Sequence, residues 1–450
     1  MKQQEHFFKT VCALAIPVAL QSMLQSSFSM VDQIMIGQLG EINVAGVGLA
    51  GKFASIYSVV ISAIGAVAGI MIAQYLGQKN RSEVRRSFFT NLLLGAGIAG
   101  MFMVICTLFP NQIMGAYTKD VQTRQAAAEY LMLVSGTFVP MTGATLLSTL
   151  FRCLEKPRLP LYASILSALL NTGLNYILIF GKLGISPMGV RGAAFATVIS
   201  QCANFLLMFL MLSQNGSLLK FNEGEPTVTL RMNWKQYWSM LLPLLVCEVV
   251  WSLGENVYAA IYGHMSTDAS AAMTLTNPIQ GLVIGALCGL SQAASVIIGK
   301  HLGSGENEKA YWSAKKLLVY GAIGSVFLSI IVIFTSKAYV GIYQVDNVVK
   351  TMTVQILCAY AVVVPFKVLN MILGGGIIRS GGRTKYVMYI DMIGTWCFGV
   401  PLGLLAAFGL ELSIPYVYFI LSLEECIRFG ISLVVFHGRH WMNRLDTGAN

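Results

Sequence analysis

Twelve long apolar runs, parted by charged or Gly/Pro-rich turns, leave this chain of 450 residues few possible folds. They fall at 11–37, 46–76, 88–109, 127–151, 160–181, 192–213, 237–263, 271–299, 317–336, 351–378, 386–408 and 415–436. A helix that crosses a bilayer needs about 20 predominantly apolar residues, and every run meets that length. Outer-membrane barrel strands would read as shorter segments of alternating polarity, and these runs do not alternate. Charged residues make up 11% of the chain and hydrophobic ones 56%, against roughly 25% charged in a soluble domain. A soluble enzyme and a disordered chain are both excluded. The predicted fold is an all-α integral membrane protein with twelve transmembrane helices.

The net charge of +10 would suggest nucleic acid on a soluble chain, but here its placement decides. With the N-terminus inside, 21 of the 30 Lys and Arg residues fall in the two tails and the loops after even-numbered spans. Arg81, Arg85 and Arg86 are examples, as are Lys315, Lys316, Arg379 and Arg383. The opposite loops hold only six: Lys119, Arg124, Lys182, Arg191, Lys337 and Lys350. This is the positive-inside asymmetry. It predicts cytoplasmic N- and C-termini, a multi-pass protein of the cell (inner) membrane and no nucleic-acid partner. Lys2 and Lys9 precede a long span containing polar residues, so the first run reads as a helix and not as a cleaved leader. The nine cysteines are scattered without a C-x-x-C pair and read as small packing residues.

The chain also repeats itself. A shift of 226 residues places Pro17 on Pro243, Gly37 on Gly263, Leu76 on Leu302, Gly77 on Gly303 and Ser87 on Ser313. A shift of 227 places Arg152 on Arg379 and Arg158 on Lys385. Six spans per half is an even number, so both halves enter the membrane in the same direction, as a parallel repeat. The expected organisation is an N-terminal lobe at 1–213, a cytoplasmic linker at 214–236 and a C-terminal lobe at 237–450.

Several segments carry a resemblance. VDQIMIGQLG (Val31–Gly40), the GQKN turn after the second span, NTGLNYILIFG (Asn171–Gly181), GVRGAAFATVISQ (Gly189–Gln201) and IIRSGGRTK (Ile377–Lys385) resemble multidrug and toxic compound extrusion (MATE) transporters. Their order and spacing cover essentially the whole chain. The resemblance implies cation-coupled export, in which H⁺ or Na⁺ enters while an amphipathic, cationic drug or dye leaves.

An ionisable side chain at membrane depth costs about 2.5–3.5 kcal/mol even on a lenient scale, so each one needs a partner or a role. Six acids qualify: Asp32, Glu248, Glu255, Asp391, Glu424 and Glu425. Gln21, Gln25, Ser29 and Asp32 recur every three or four residues and share one helix face, suited to a water-filled cavity or a neighbouring helix. Asp32 matches the acidic position that the resemblance implies for ion coupling. Asn171 and Asn175, one turn apart, and Thr197 could join Asp32 in supplying oxygens to a hard cation. The resemblance implies that this group is the first lobe's cation site. Amide hydrogen bonds between helices account for the asparagines equally well. Asn175 stands where the family often has an aspartate, which leaves Asp32 as a lone protonatable group. H⁺ and Na⁺ both stay open, and Asp32, Asn171, Asn175 and Thr197 are metal ligands only if the ion is Na⁺.

Glu248 and Glu255 lie two turns apart on one face of the seventh span, as cavity-lining or buried hydrogen-bonded groups. One branch of the family carries an aspartate in the tenth span near the position of Val368. This chain has Lys367 and Asn370 there, with Asp391 in the next span. Lys367 calls for a carboxylate partner, Asp391 or Glu424, in a structural ion pair or a second coupling site. Glu424 and Arg428 form an i, i+4 pair of opposite sign.

GVGLAG (Gly46–Gly51) has dinucleotide-loop spacing but follows no strand, so close helix packing explains it better. The GK pairs lack a following Ser or Thr, and neither H-E-x-x-H nor G-x-S-x-G occurs. The chain therefore reads as no enzyme, without cofactor and driven by an ion gradient. The expected function is a secondary active antiporter, a monomer exporting small organic cations or amphipathic drugs across the lipid bilayer by rocker-switch alternating access. A flippase for a lipid-linked or polyprenyl precursor is the alternative; it would want a basic cavity. A channel would need a ring-like filter, which a two-lobe single chain does not suggest.

Overall fold

The computed structural model describes residues 2–214, 233–343 and 345–446. Among them every regular element is helical, as lipid requires of backbone that must satisfy its own polar groups. Eleven helices are long and apolar enough to cross a membrane. They are α1 (Lys2–Gly37), α2 (Glu41–Gly77), α3 (Arg81–Leu108), α4 (Val121–Cys153), α5 (Arg158–Phe180) and α6 (Gly189–Gln214), then α7 (Trp234–Met265), α8 (Thr267–Gly303), α9 (Asn307–Gly341), α10 (Asn347–Ile378) and α11 (Thr384–Gly409).

The twelfth apolar run is present as α12, residues 414–437, in two shorter pieces that meet at Leu423. Leu423 keeps near-helical dihedrals, φ −60° and ψ −18°. Its neighbours switch to i→i+3 bonds, from Leu423 N to Ile420 O and from Cys426 N to Leu423 O, so the rod tightens there without ending. The predicted linker at 214–236 lies outside the described residues except at its ends.

Most helices outrun the apolar segments that announce them. α9 starts ten residues before the run at 317, taking in Lys309, Lys315 and Lys316. Long basic side chains let a helix continue past the hydrocarbon. Helix starts are capped as their sequences suggest. Asn80, Asp120, Asn233 and Ser266 each accept a bond from the backbone N–H three residues on, at 2.8–3.1 Å. Gly181 closes α5 in the left-handed conformation (φ +67°). π-Type turns interrupt α10 at Leu373–Ile378 and α11 at Ile393–Gly399 and Leu405–Gly409, a geometry frequent near functional sites.

The contacts divide the chain into two compact units. One comprises Leu20–Ile72 and Asn80–Met232. In it α5 packs along α6, and α3 along the second half of α4. The other comprises Met1–Ala19, Ala73–Lys79 and Asn233–Asn450. There α9 packs on α10, α10 on α8, and α7 on the start of α11. The first half of α1, up to just past Pro17, and the last turns of α2 thus belong by contact with the second half of the sequence. α2 and α8 meet through a pair of glycines. A Cβ on Gly77 would stand 2.1 Å from the Lys300 carbonyl oxygen, and one on Gly303 would stand 1.9 Å from that of Gln74. The two contacts exchange under the 226-residue shift, so this crossing obeys the sequence repeat. The segment after α12 folds beneath it. Trp441 is fully buried and stacked on Phe436. The Gln74 side chain donates to the carbonyls of Ser380 (2.8 Å) and Asn443 (3.1 Å) and accepts from Leu445 N (2.8 Å).

Candidate functional site

In the first unit, α1, α5 and α6 enclose a polar cavity of about 300 Å³. Gln25, Ser29 and Asp32 face it from α1, Ser164, Ser167 and Asn171 from α5, and Thr197, Ser200, Gln201 and Asn204 from α6. The α1 face read from the sequence therefore does point inward. Its lowest member, Gln21, is spent on a bond from its Nε2 to Ser164 Oγ at 2.8 Å.

Asp32 receives a short hydrogen bond, 2.5 Å, from Nδ2 of the fully buried Asn175. The same amide donates to Asn171 Oδ1 at 3.2 Å. No Lys or Arg pairs with Asp32 among the described residues. A neutral amide thus holds the carboxylate where a structural ion pair would use a cation. Asn175 Oδ1 is buried without a hydrogen-bond partner, an acceptor that a bound cation or proton donor would satisfy. Thr197 lines the cavity while its hydroxyl bonds back to Ala193 O at 2.9 Å. The four oxygen-bearing residues named from the sequence are therefore neighbours, and their donor set suits a hard cation or a proton.

Sequence reasoning missed Ser164, Ser167, Ser200, Gln201, Asn204 and the buried Tyr130, which interacts with Asp32 and Thr197. A signal was present. Ser164, Ser167, Asn171 and Asn175 recur at helical spacing on α5, as do Thr197, Ser200, Gln201 and Asn204 on α6.

The second unit holds a different arrangement, centred on Arg428. This buried guanidinium lies 3.7 Å from Asp391, 3.9 Å from Glu424 and 4.0 Å from Glu425, and it donates to Thr395. Each carboxylate has a second donor: Cys247 for Asp391 (2.8 Å), Tyr258 for Glu424 (2.5 Å) and Asn370 for Glu425 (2.8 Å). The expectation that Lys367 pairs with Asp391 or Glu424 does not hold. Arg428 rises one turn above Glu424 on the same helix and reaches both acids first. Lys367 lies within 4 Å of no carboxylate oxygen among the described residues.

Two cavities flank this cluster. One, of about 260 Å³, is lined by Glu255, Tyr258, Tyr262, Asn277, Gln280, Lys367 and Tyr418 among others. The second, of about 280 Å³, is lined by Glu248, Trp251, Lys367, Asn370, Arg379 and Asp391 among others. Glu248 and Glu255, read as one face from their spacing, thus open into different spaces.

The family model MatE matches residues 17–177 and again 243–405. The two matches begin 226 residues apart, the shift found within the sequence. A Thermotoga maritima protein described as "Probable multidrug resistance protein NorM" is 23% identical over 448 residues, covering 97% of this chain and 93% of its own. The "Uncharacterized transporter YisQ" of Bacillus subtilis is 21% identical, over 96% of this chain and 94% of its own. Among solved structures, an outward-facing multidrug resistance MATE transporter superimposes with a TM-score of 0.85 at 16% identity, covering 96% of both chains. A mutant of the Vibrio cholerae MATE transporter VcmN gives 0.89 at 14% identity, covering 97% of this chain and 98% of its own. The all-α membrane fold is shared with both, and with a family model matching most of its length in two copies, this chain is a multi-pass membrane protein of the MatE family, the multidrug and toxic compound extrusion transporters.

Proposed function

We propose that the protein is a secondary active antiporter that exports amphipathic organic cations in exchange for H⁺ or Na⁺, with Asp32 as the coupling carboxylate. The observation that carries this reading is a membrane-depth carboxylate without a basic partner, facing a polar cavity of about 300 Å³. Such a group attracts a proton or a small cation. When one binds, the negative charge that favours a cationic compound in the same cavity is cancelled. Coupling then needs only that ion and compound prefer different states or compete for one carboxylate. With a proton, Asp32 alone suffices, and Asn175 and Asn171 position it. With Na⁺, the Asp32 carboxylate, the Asn171 and Asn175 carbonyl oxygens and the Thr197 hydroxyl supply the ligands.

The two repeats, 1–213 and 237–450, rock as a monomer between states open to either side. Both termini face the cytoplasm of a cell membrane, an orientation supported by the excess of Lys and Arg in the loops on that side. The flippase alternative asks for a net basic cavity, whereas Lys367, Arg379 and Arg428 are matched by Glu248, Asp391 and Glu425 around one space. The test is transport of a cationic dye by purified protein in liposomes, with proton and Na⁺ gradients imposed separately, for wild type and Asp32→Asn. Gradient-driven dye movement lost in the variant supports the reading. Lipid translocation without dye movement would replace it.

A further inference from the structure

Arg428, Tyr258 and Asn370 engage Glu424 and Glu425 directly. That leaves two charged side chains of the 260 Å³ cavity without a hydrogen bond or an ion pair within 4 Å among the described residues, Glu255 on α7 and Lys367 on α10, which act on each other, as Glu425 acts on Lys367, only at longer range. One is an acid, the other a base, and both line the same space. Three tyrosines, Tyr258, Tyr262 and Tyr418, supply aromatic walls. Asn277 and Gln280 add amides from α8.

The volume lies just below the roughly 300–1,000 Å³ of drug pockets, so the occupant is metabolite-sized. A simple organic cation would satisfy Glu255 and the tyrosine faces but would meet the Lys367 ammonium with like charge. A simple anion would satisfy Lys367 and meet Glu255. A molecule bearing both charges satisfies each of them, and an aromatic body fills the space between. We propose that this cavity binds a small aromatic zwitterion, its carboxylate on Lys367 and its ammonium on Glu255. The site bears on substrate class and rests on the transporter reading above; its binding step is separable from ion coupling.

The test uses the full chain in detergent and three probes that share one ring and chain: phenylalanine (zwitterion), phenethylamine (cation) and 3-phenylpropionate (anion), titrated calorimetrically. Each charge-assisted contact contributes about tenfold in affinity. Phenylalanine is expected to bind about tenfold or more tighter than either partner probe. Lys367→Met should bring phenylalanine down to the level of phenethylamine, and Glu255→Gln should bring it to that of 3-phenylpropionate. Lys367→Arg, which keeps the charge and supports folding, should retain the preference. Wild type binding phenethylamine as tightly as phenylalanine overturns the proposal, as does absence of binding by all three probes. The wild-type ranking decides the matter even if a variant misfolds. No ion gradient is involved, so failure here is distinct from failure of antiport.

Discussion

Replacing Arg428 by Met exposes what the second-unit cluster contributes. Arg428 is 6% exposed, and its guanidinium stands within 4.0 Å of three carboxylates. Removing one partner of a buried ion pair costs about 3–5 kcal/mol, because the charge left behind has lost its compensation. Here three are left. Each retains one donor, Cys247, Tyr258 or Asn370, which places the expected loss toward the lower end, about 3 kcal/mol. At roughly 2 °C per kcal/mol for a large chain, the melting temperature should fall by about 6 °C. Thermal unfolding of purified protein in detergent, followed by loss of the monodisperse size-exclusion peak, measures this. A second variant isolates the cause. Adding Asp391→Asn, Glu424→Gln and Glu425→Gln to Arg428→Met removes the stranded charges and should restore most of the loss, since neutral replacement of a whole buried cluster is close to neutral in energy. A single variant melting with wild type would refute the reasoning, as would a quadruple variant no more stable than the single one.

Other contacts in the structure carry expected outcomes of their own. Gly303→Val puts a side chain where even a Cβ would lie 1.9 Å from the Gln74 carbonyl, so α2 and α8 must part; dye transport should be lost at normal membrane insertion, and wild-type transport would contradict the role of the crossing. Gln74→Ala strands Leu445 N and the carbonyls of Ser380 and Asn443, a loss of about 1–3 kcal/mol that should appear as faster amide exchange at Leu445. Asp120 caps α4 through Thr123 N–H, and hydrogen bonds from the Thr123 hydroxyl and then from that N–H hold its carboxyl below the ordinary range. Its contribution is therefore present above the ordinary carboxylate pKa and fades as pH falls through the lowered one. Asp120→Ala should speed amide exchange at Thr123 at neutral pH, and the difference from wild type should vanish on strong acidification.

What the sequence disclosed follows from which forces act locally. The helices were legible because lipid demands long apolar runs, and their partners in the repeat were legible because a fixed shift aligns Pro17 with Pro243 and Gly77 with Gly303. Helix ends were not. α9 continues through Lys309, Lys315 and Lys316 because snorkelling costs little, so hydropathy underestimates it. The polar stripe ending at Asp32 was readable from a 3–4 residue spacing, and Asn175 lies where α5 brings it against that stripe. The partner of Lys367 was misjudged because the choice among three carboxylates depends on how α11 and α12 approach Arg428, which no periodicity encodes. The division of contacts at Ala19 and Ala73 was equally hidden. It arises from tertiary packing of the end of α2 against α8 and the segment after α12.

In the proposed mechanism Asp32 couples ion entry to export. Its most direct test is efflux of a cationic dye from proteoliposomes under a proton gradient alone and under a Na⁺ gradient alone, comparing wild type with Asp32→Asn at matched insertion. One of the two gradients should drive wild-type efflux, and the variant should lose it. Efflux by Asp32→Asn at the wild-type rate would contradict the coupling role of Asp32.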